Sequence, residues 1–159
     1  MKKLTILLES IEAIIFDFDG VLTDNKVYIN QNGKESVSCS RADGLAFDVL
    51  RKLQKSVYIL STEINPVISA RAKKLKIPAI QSVNNKADGI KQLAKKEVFD
   101  LQKTLYIGND LNDYHAMQLC GYTACPSDSH NKIKEISAIL LETKGGNGIV
   151  RELLEVFFQ

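Results

Sequence analysis

The chain has 159 residues, of which 45% are hydrophobic and 25% charged, with a formal net charge of +2. This is the composition of an ordinary globular protein, and we expect one domain over residues 1–159. Scattered basic residues exclude a nucleic-acid-binding surface, and no apolar run approaches the roughly 20 residues of a membrane span. The start, MKKLTILLES, is too short for a signal peptide, so we expect a helical or frayed lead-in and a cytoplasmic protein with reduced cysteines.

The first predicted strand covers residues 14–16 and ends in two carboxylates, within the stretch IIFDFDGVLTD. Asp17 and Asp19 are two residues apart on an extended chain, so their side chains point the same way. Such a pair is costly unless a cation lies between the carboxylates or one of them holds a proton. The carboxyl end of this strand is therefore the first candidate site.

A projecting β-hairpin is predicted next, at about residues 26–39, because Asn32-Gly33 separates two short strand-like runs. Asp43 then precedes a helical pattern over residues 44–53 and is expected to cap it.

The rest of the chain alternates strands with helices. Further strands are predicted at 57–60, 78–80, 105–107, 122–125 and 138–141. Helices are expected after Asn65-Pro66, after Asn84 or Asn85, and after Asn147 or Gly148. This pattern predicts an α/β fold in three layers, with a doubly wound parallel sheet covered by helices on both faces.

Polar residues follow these strands at what is predicted to be one edge of the sheet. They are Ser61 and Thr62, then Lys86 at a helix start, then Asn109, Asp110, Asn112 and Asp113 in the run GNDLND. Carboxylate and amide oxygens suit Mg²⁺, while a hydroxyl, an ammonium and helix-start N–H groups suit a phosphate. The sequence thus indicates phosphoryl chemistry, in which Asp17 is able to attack and Asp19 to transfer a proton.

The motifs DFDGVLTD, Ser61, Lys86 and GNDLND resemble, in order and spacing, those of haloacid dehalogenase-like phosphatases. The resemblance implies a Rossmann-like fold and an aspartyl-phosphate intermediate formed on Asp17. It implies that Asp19 is the general acid/base and that its main-chain carbonyl touches Mg²⁺. Lys86 would be both a catalytic and a substrate-binding residue, and it would hold the phosphoryl group together with Ser61 and Thr62.

The remaining implied Mg²⁺ ligand comes from the GNDLND run, with Asn109 and Asp110 as the two candidates beside Asp17 and Asp19. The family usually has aspartate where this chain has Asn109, which supplies less charge. It also has an arginine where this chain has Ala42, with Arg41 one place earlier as the candidate for binding substrate.

GVLTD, the hairpin, STEINPV and GGNGIVRE resemble a narrower subgroup, the phosphatases of 3-deoxy-D-manno-octulosonate 8-phosphate and of nine-carbon sialic-type sugar phosphates. The same subgroup includes domains fused to acylneuraminate cytidylyltransferases. It implies a phosphorylated sugar-acid substrate, in lipopolysaccharide or sialic acid biosynthesis. The intervals between Asp17, Ser61 and Lys86 hold no cap domain, and the resemblance implies a homotetramer whose hairpins pack together and whose subunits cover one another's sites.

Two other hypotheses stay open. A catalytically weak domain could serve as a tetramerisation scaffold for the synthesis of CMP-activated sugar acids. A phosphoacceptor receiver domain also groups aspartates, a hydroxyl and a lysine at strand ends. Receivers, however, place their acidic pair on adjacent residues, whereas Phe18 separates Asp17 from Asp19 here.

Overall fold

The computed structural model describes residues 8–158. The strands are β1 (Ala13–Phe16), β2 (Tyr28–Ile29), β3 (Glu35–Ser36), β4 (Ser56–Leu60), β5 (Ala79–Ile80), β6 (Thr104–Ile107), β7 (Tyr122–Cys125) and β8 (Ile139–Leu140). The helices are α1 (Arg41–Lys52), α2 (Pro66–Leu75), α3 (Lys86–Glu97), α4 (Tyr114–Leu119), α5 (Asn131–Ile136) and α6 (Ile149–Phe157). Short 3₁₀ turns cover Leu8–Ser10, Leu101–Lys103 and Leu111–Asp113.

Six parallel strands form the main sheet in the order β5-β4-β1-β6-β7-β8. The chain extends the sheet from β1 to one side through β4 and β5, and then to the other side through β6, β7 and β8. Phe16 at the end of β1 is in register with Ile59 of β4 and Ile107 of β6. The switch point lies at β1, where open α/β sheets bind ligands, so Asp17 lies at the expected place.

Helices cover both faces of this sheet. Ile14 and Phe16 of β1 belong to a core built with α1, α2 and α6, while Ala13 and Ile15 belong to a core built with α3, α4 and α5. All four residues are fully buried, because alternate side chains of a central strand reach opposite covered faces. The predicted three-layer, doubly wound fold is therefore confirmed.

The prediction that Asp43 caps the helix following it is wrong. Helix α1 begins at Arg41, and its cap is Ser40, whose Oγ accepts a hydrogen bond from Ala42 N at 3.2 Å. Asp43 is buried, and its Oδ1 accepts from Val150 N at 2.9 Å, in the first turn of α6. Because α6 follows Gly148, which has no capping side chain, a residue 107 positions earlier satisfies this N–H instead.

Other local predictions differ in smaller ways. Asn85, rather than Asn84, caps α3, since its side chain accepts from Asp88 N. Helix α5 has six residues, too few for periodicity to indicate it, and the sequence did not predict it. Of the expected lead-in, Leu8–Ser10 forms a 3₁₀ turn and residues 1–7 lie outside the described residues.

The hairpin forms at the Asn32-Gly33 signal, with Gly33 in the left-handed region at φ +75°. Tyr28 and Ile29 are 62% and 65% exposed on it, whereas Val37 packs against the core. Between Asp17 and Ser61 the chain adds only this hairpin, α1 and β4, so residues 8–158 contain no cap domain. Within the same residues, no helix has the length and apolar character needed to cross a membrane.

Candidate active site

The loop after β1 is held in shape by main-chain contacts. Asp17 N donates to Ile107 O at 2.9 Å, which continues the pairing of β1 with β6 by one residue. The carbonyl of Phe18 accepts from the N–H groups of residues 21, 22 and 23, which forms a tight turn while its ring is buried in the core. Gly20 sits at φ +83°, where a Cβ atom would collide with the side chain of Asn109. The two carboxylates consequently emerge on one side of a fixed loop.

Lys86 is buried behind Asp17 as the first residue of α3. Its Nζ lies 2.7 Å from Asp17 Oδ1 and 2.7 Å from Asp113 Oδ1. Tyr106, which is fully buried on β6, donates its hydroxyl to Asp113 Oδ1 at 2.9 Å. Asp113 Oδ2 accepts from Asn109 N at 3.0 Å. Asp113 thus ties Lys86 to the loop that carries Asn109.

The sequence does not indicate Tyr106, because a tyrosine inside a buried strand is ordinarily read as core. Asp113 belongs to the run GNDLND, which the sequence places at the edge of the sheet. The structure shows that its carboxylate takes part in a capping box with Asp110 and also pairs with Lys86.

Two buried carboxylates share one ammonium group in this cluster. Burial, followed by the charge of Asp113, raises the pKa of Asp17 well above its ordinary value, and Lys86 opposes this shift. Burial disfavours the charged form of Lys86, but the carboxylates of Asp17 and Asp113 outweigh it and raise the Lys86 pKa. With both carboxylates ionised, the single ammonium of Lys86 would leave one negative charge without a partner, and a bound cation would stabilise that state.

The amide of Asn109 faces this excess charge. One of its terminal atoms lies 2.9 Å from Asp17 Oδ2 and 2.9 Å from the main-chain carbonyl oxygen of Asp19. With nitrogen in that position, the amide donates two hydrogen bonds. With oxygen there, three oxygens converge: a carboxylate, a main-chain carbonyl and an amide.

These three oxygens are of the type that Mg²⁺ prefers. Octahedral Mg²⁺ with Mg–O distances of 2.0–2.1 Å places neighbouring ligands about 2.9 Å apart, which matches the two distances from the Asn109 amide to Asp17 Oδ2 and to the Asp19 carbonyl oxygen. Among residues 8–158, no group of three or more His, Cys, Asp or Glu side chains is placed to hold a metal ion. A metal ion at this site would therefore need the Asn109 amide oxygen and the Asp19 carbonyl oxygen as ligands beside Asp17. Mg²⁺ keeps several waters and a substrate phosphate as its other ligands, and three protein oxygens leave room for them.

A cavity of about 370 Å³ opens onto these groups. Its lining includes six of the predicted site residues, namely Asp17, Asp19, Ser61, Thr62, Asn109 and Asp110. Lys86 lies behind Asp17 at hydrogen-bonding distance.

Two predicted residues are placed differently. Asp110 lines the cavity, but its Oδ1 caps the 3₁₀ turn by accepting from Leu111 N at 2.7 Å, so Asn109 rather than Asp110 meets Asp17. Arg41 is exposed at the start of α1 and is not among the residues that line the cavity, so the structure does not bring it to the site.

Asp19 lines the cavity and is half buried. Burial, followed by the charge of Glu63, raises its pKa above the ordinary value, and Lys86 opposes the shift. A carboxyl group with a raised pKa is better suited to donate a proton near neutral pH. Two carboxylates, an ammonium group and the Asn109 amide thus lie around one cavity.

The run GGNG before α6 supports this loop from outside. Gly146 N donates to Val21 O at 3.0 Å. A Cβ on Gly145 would collide with the main-chain oxygen of Gly20, so the two backbones touch where no side chain fits. GGNG is therefore a turn that packs against the aspartate loop.

Comparison with known proteins agrees with this geometry. The family profile of the haloacid dehalogenase-like hydrolases matches residues 47–153. The 3-deoxy-D-manno-octulosonate 8-phosphate phosphatase of Haemophilus influenzae is 31% identical over 153 residues, which cover 96% of this chain and 85% of that protein.

Solved structures that resemble this chain include members of the same family. A putative hydrolase of this family from Streptomyces avermitilis superposes with a TM-score of 0.95 at 36% identity, covering 98% of this chain and 90% of that one. The 3-deoxy-D-manno-octulosonate 8-phosphate phosphatase of Moraxella catarrhalis, solved with a magnesium ion, a phosphate ion and KDO, has a TM-score of 0.89 at 29% identity. That match covers 94% of this chain and 86% of the other.

Proposed function

This chain belongs to the haloacid dehalogenase-like hydrolases, and we propose that it is a Mg²⁺-dependent phosphatase of phosphorylated sugar acids. The substrate would be of the octulosonate 8-phosphate or nonulosonate 9-phosphate type. The observation that carries this proposal is that the Asn109 amide lies 2.9 Å from both Asp17 Oδ2 and the Asp19 carbonyl oxygen, with Lys86 on the other Asp17 oxygen. The relatives named above support the substrate class.

Asp17 is the nucleophile in this proposal. Its carboxylate attacks phosphorus, the bond between phosphorus and the sugar oxygen breaks, and an aspartyl-phosphate forms. Lys86 holds the attacking group, since its ammonium lies 2.7 Å from Oδ1 and is itself fixed by Asp113. Asp17, the Asp19 carbonyl and Asn109 would hold Mg²⁺, which would supply positive charge to the phosphoryl oxygens.

Asp19 transfers the protons. It gives its proton to the departing sugar oxygen and then accepts a proton from the water that attacks the aspartyl-phosphate. That second step releases inorganic phosphate and restores Asp17 as a carboxylate and Asp19 as the protonated acid. Ser61, which is buried beside the cavity, and Thr62 are the proposed contacts for phosphoryl oxygens.

The test is phosphate release, with Mg²⁺ and with EDTA, from a panel of eight- and nine-carbon sugar-acid phosphates. We expect turnover that requires Mg²⁺ and is lost in Asp17→Asn, a variant that keeps the size of the side chain. Asp48→Asn, which changes an exposed carboxylate on α1, is the matched control and should retain full activity. Turnover that survives in Asp17→Asn would refute the assigned nucleophile.

A second candidate function is the tetramerisation scaffold. It is favoured by Asn109, which gives the cation site less charge than an aspartate, and by the apolar hairpin, on which Tyr28 and Ile29 are exposed. Buried apolar contact between hairpins would explain this exposure, and a homotetramer is our proposal for both functions. Light scattering of the parent and of Tyr28→Lys tests the assembly, and a tetramer without turnover would favour the scaffold.

A further inference from the structure

The loop between β7 and α5, residues 126–130, supplies no residue to the proposed mechanism, yet it contacts the active site at two points. His130 N donates to the main-chain oxygen of Asn109 at 2.9 Å. In the same loop, Asp128 Oδ1 accepts from Gly145 N at 2.9 Å, at the start of the GGNG run. This loop therefore holds the Asn109 main chain through its own main chain, and it holds the GGNG run through a side chain.

The GGNG run passes this contact on to the aspartate loop. Gly146 N donates to Val21 O at 3.0 Å, and a Cβ on Gly145 would collide with the main-chain oxygen of Gly20. Gly20 in turn lies against the Asn109 side chain, since a Cβ on Gly20 would collide with that amide. The contacts form a closed ring, which runs from Asn109 through the 126–130 loop, GGNG and the aspartate loop back to Asn109.

Inside this ring the direction of the Asp19 carbonyl is fixed. Gly20 N donates to Thr23 Oγ1 at 3.1 Å, and Thr23 is fully buried. Because the N–H of Gly20 and the C=O of Asp19 belong to one planar trans peptide, they point in opposite directions. The hydrogen bond to Thr23 therefore directs the Asp19 carbonyl away from Thr23, and its oxygen lies 2.9 Å from the Asn109 amide. The place of the aspartate loop relative to Asn109 thus sets one of the two distances that match Mg²⁺.

We propose that Asp128 is a positioning residue for the cation site. Its carboxylate holds Gly145, and through the GGNG run it keeps the Asp19 carbonyl oxygen at the distance from Asn109 that a bound Mg²⁺ requires. This inference rests on the Mg²⁺ site of the proposed function and deepens it. Groups that orient metal ligands without touching the metal typically contribute about 10- to 100-fold to metal affinity.

Asp128 is suited to a test because its side chain is exposed, so that replacing it leaves the core packing unchanged. The substitution Asp128→Ala removes the oxygen that accepts from Gly145 N. The substitution Asp128→Asn removes the charge but keeps an acceptor oxygen in the same place. The two variants therefore separate the hydrogen bond from the charge.

The test titrates Mg²⁺ alone into the isotope-labelled protein and follows the NMR amide signals of residues 17–20 and of Asn109. We expect Asp128→Ala to raise the Kd for Mg²⁺ about tenfold and to speed solvent exchange of the Gly145 N–H. Asp128→Asn should keep the Kd within about twofold of the parent value. Glu135→Ala, which removes an exposed carboxylate from α5, is the matched control and should leave the Kd unchanged.

A merely structural role would give a different result. Asp128→Ala would then lower Tm in EDTA without changing the Kd of the folded protein for Mg²⁺, and this outcome would overturn the inference. Equal losses of affinity in Asp128→Ala and Asp128→Asn would overturn it as well, because the charge rather than the hydrogen bond would then be responsible. Absence of Mg²⁺ binding by the parent protein would also overturn it.

The proposed function is judged separately, by phosphate release from the panel of sugar-acid phosphates. In that assay Asp128→Ala should need about tenfold more Mg²⁺ than the parent for its half-maximal rate. Turnover by the parent, combined with an unchanged Kd for Mg²⁺ in Asp128→Ala, would refute the inference and leave the phosphatase assignment standing. Mg²⁺ binding that weakens in Asp128→Ala, in a protein that turns over no member of the panel, would refute the proposed function and support the inference.

Discussion

Replacing Asn109 with aspartate changes the balance between the metal-free and the Mg²⁺-bound protein. In the metal-free protein the amide is able to donate to Asp17 Oδ2 and to the Asp19 carbonyl, both at 2.9 Å. The asparagine therefore satisfies its neighbours without a cation. With Mg²⁺ bound, the same amide would present its oxygen instead. An aspartate at position 109 could bind Mg²⁺, but it could not donate these hydrogen bonds in the metal-free protein.

The size of the destabilisation by Asn109→Asp in the metal-free protein follows from these contacts. A hydrogen bond to a charged group contributes about 1.5–3 kcal/mol and a neutral one about 1 kcal/mol, and Asn109→Asp loses one of each. Two carboxylate oxygens 2.9 Å apart repel by about 6 kcal/mol at an effective dielectric constant of about 20, an upper bound because one carboxylate takes up a proton. We expect the free energy of unfolding in EDTA to fall by at least about 3 kcal/mol, which lowers Tm by roughly 6–12 °C for a chain of this size.

The assay is thermal unfolding in EDTA and over a Mg²⁺ titration. Asn109→Asp should be destabilised without metal, should gain more Tm from Mg²⁺ than the parent, and should bind Mg²⁺ at least about tenfold more tightly. Asn112→Asp is the matched control, because Asn112 is exposed and lines the same cavity. Equal Tm values in EDTA, together with equal Mg²⁺-induced shifts in the parent and in Asn109→Asp, would refute the reasoning.

Three further predictions concern buried polar groups. Lys86→Met leaves two buried carboxylates without their cation and should cost about 3–5 kcal/mol in urea unfolding, whereas Lys96→Met, at an exposed lysine, should cost less than about 0.5 kcal/mol. Tyr106→Phe removes a donor to Asp113 and should cost about 1.5–3 kcal/mol and lower kcat more than it raises KM, and an unchanged kcat would contradict a positioning role. Burial raises the pKa of Asp43 to about 6 from 3.8, so the fold binds this proton more tightly than the unfolded chain does. Unfolding free energy should therefore gain up to about 3 kcal/mol from this group as pH falls from above 6 to below 4, and Asp43→Asn should lose that gain in urea titrations at each pH.

Much of the fold follows from local patterns. Apolar runs alternating with amphipathic helices predict the parallel sheet because a strand covered on both faces must be apolar throughout. The Asn-Gly hairpin signal works for a similar reason, since the turn geometry restricts which residues fit. Short elements such as α5 escape prediction, because six residues do not show a helical period.

Within the site, the sequence is informative wherever a residue follows a strand. Asp17 and Asp19 are placed by the end of β1, and their common direction follows from the two-residue period of an extended chain. Ser61 and Lys86 are located the same way, by the end of β4 and the start of α3. Their assigned roles stay predictions until the variants above are measured.

The sequence by itself thus determined which strand ends bear the chemistry, because periodicity and turn signals are local properties of the chain. Only the tertiary structure decided which groups meet. In the folded chain Lys86 is buried between Asp17 and Asp113, and Asn109 rather than Asp110 lies against Asp17. The side chain of Asp43 accepts a hydrogen bond from the first turn of α6. The pairs made by Lys86 and by Asp43 join residues 27 to 107 positions apart, and the direction of Asn109 depends on how the loop turns after β6. These contacts are fixed by the order of the strands in the sheet and by the packing of the helices on it.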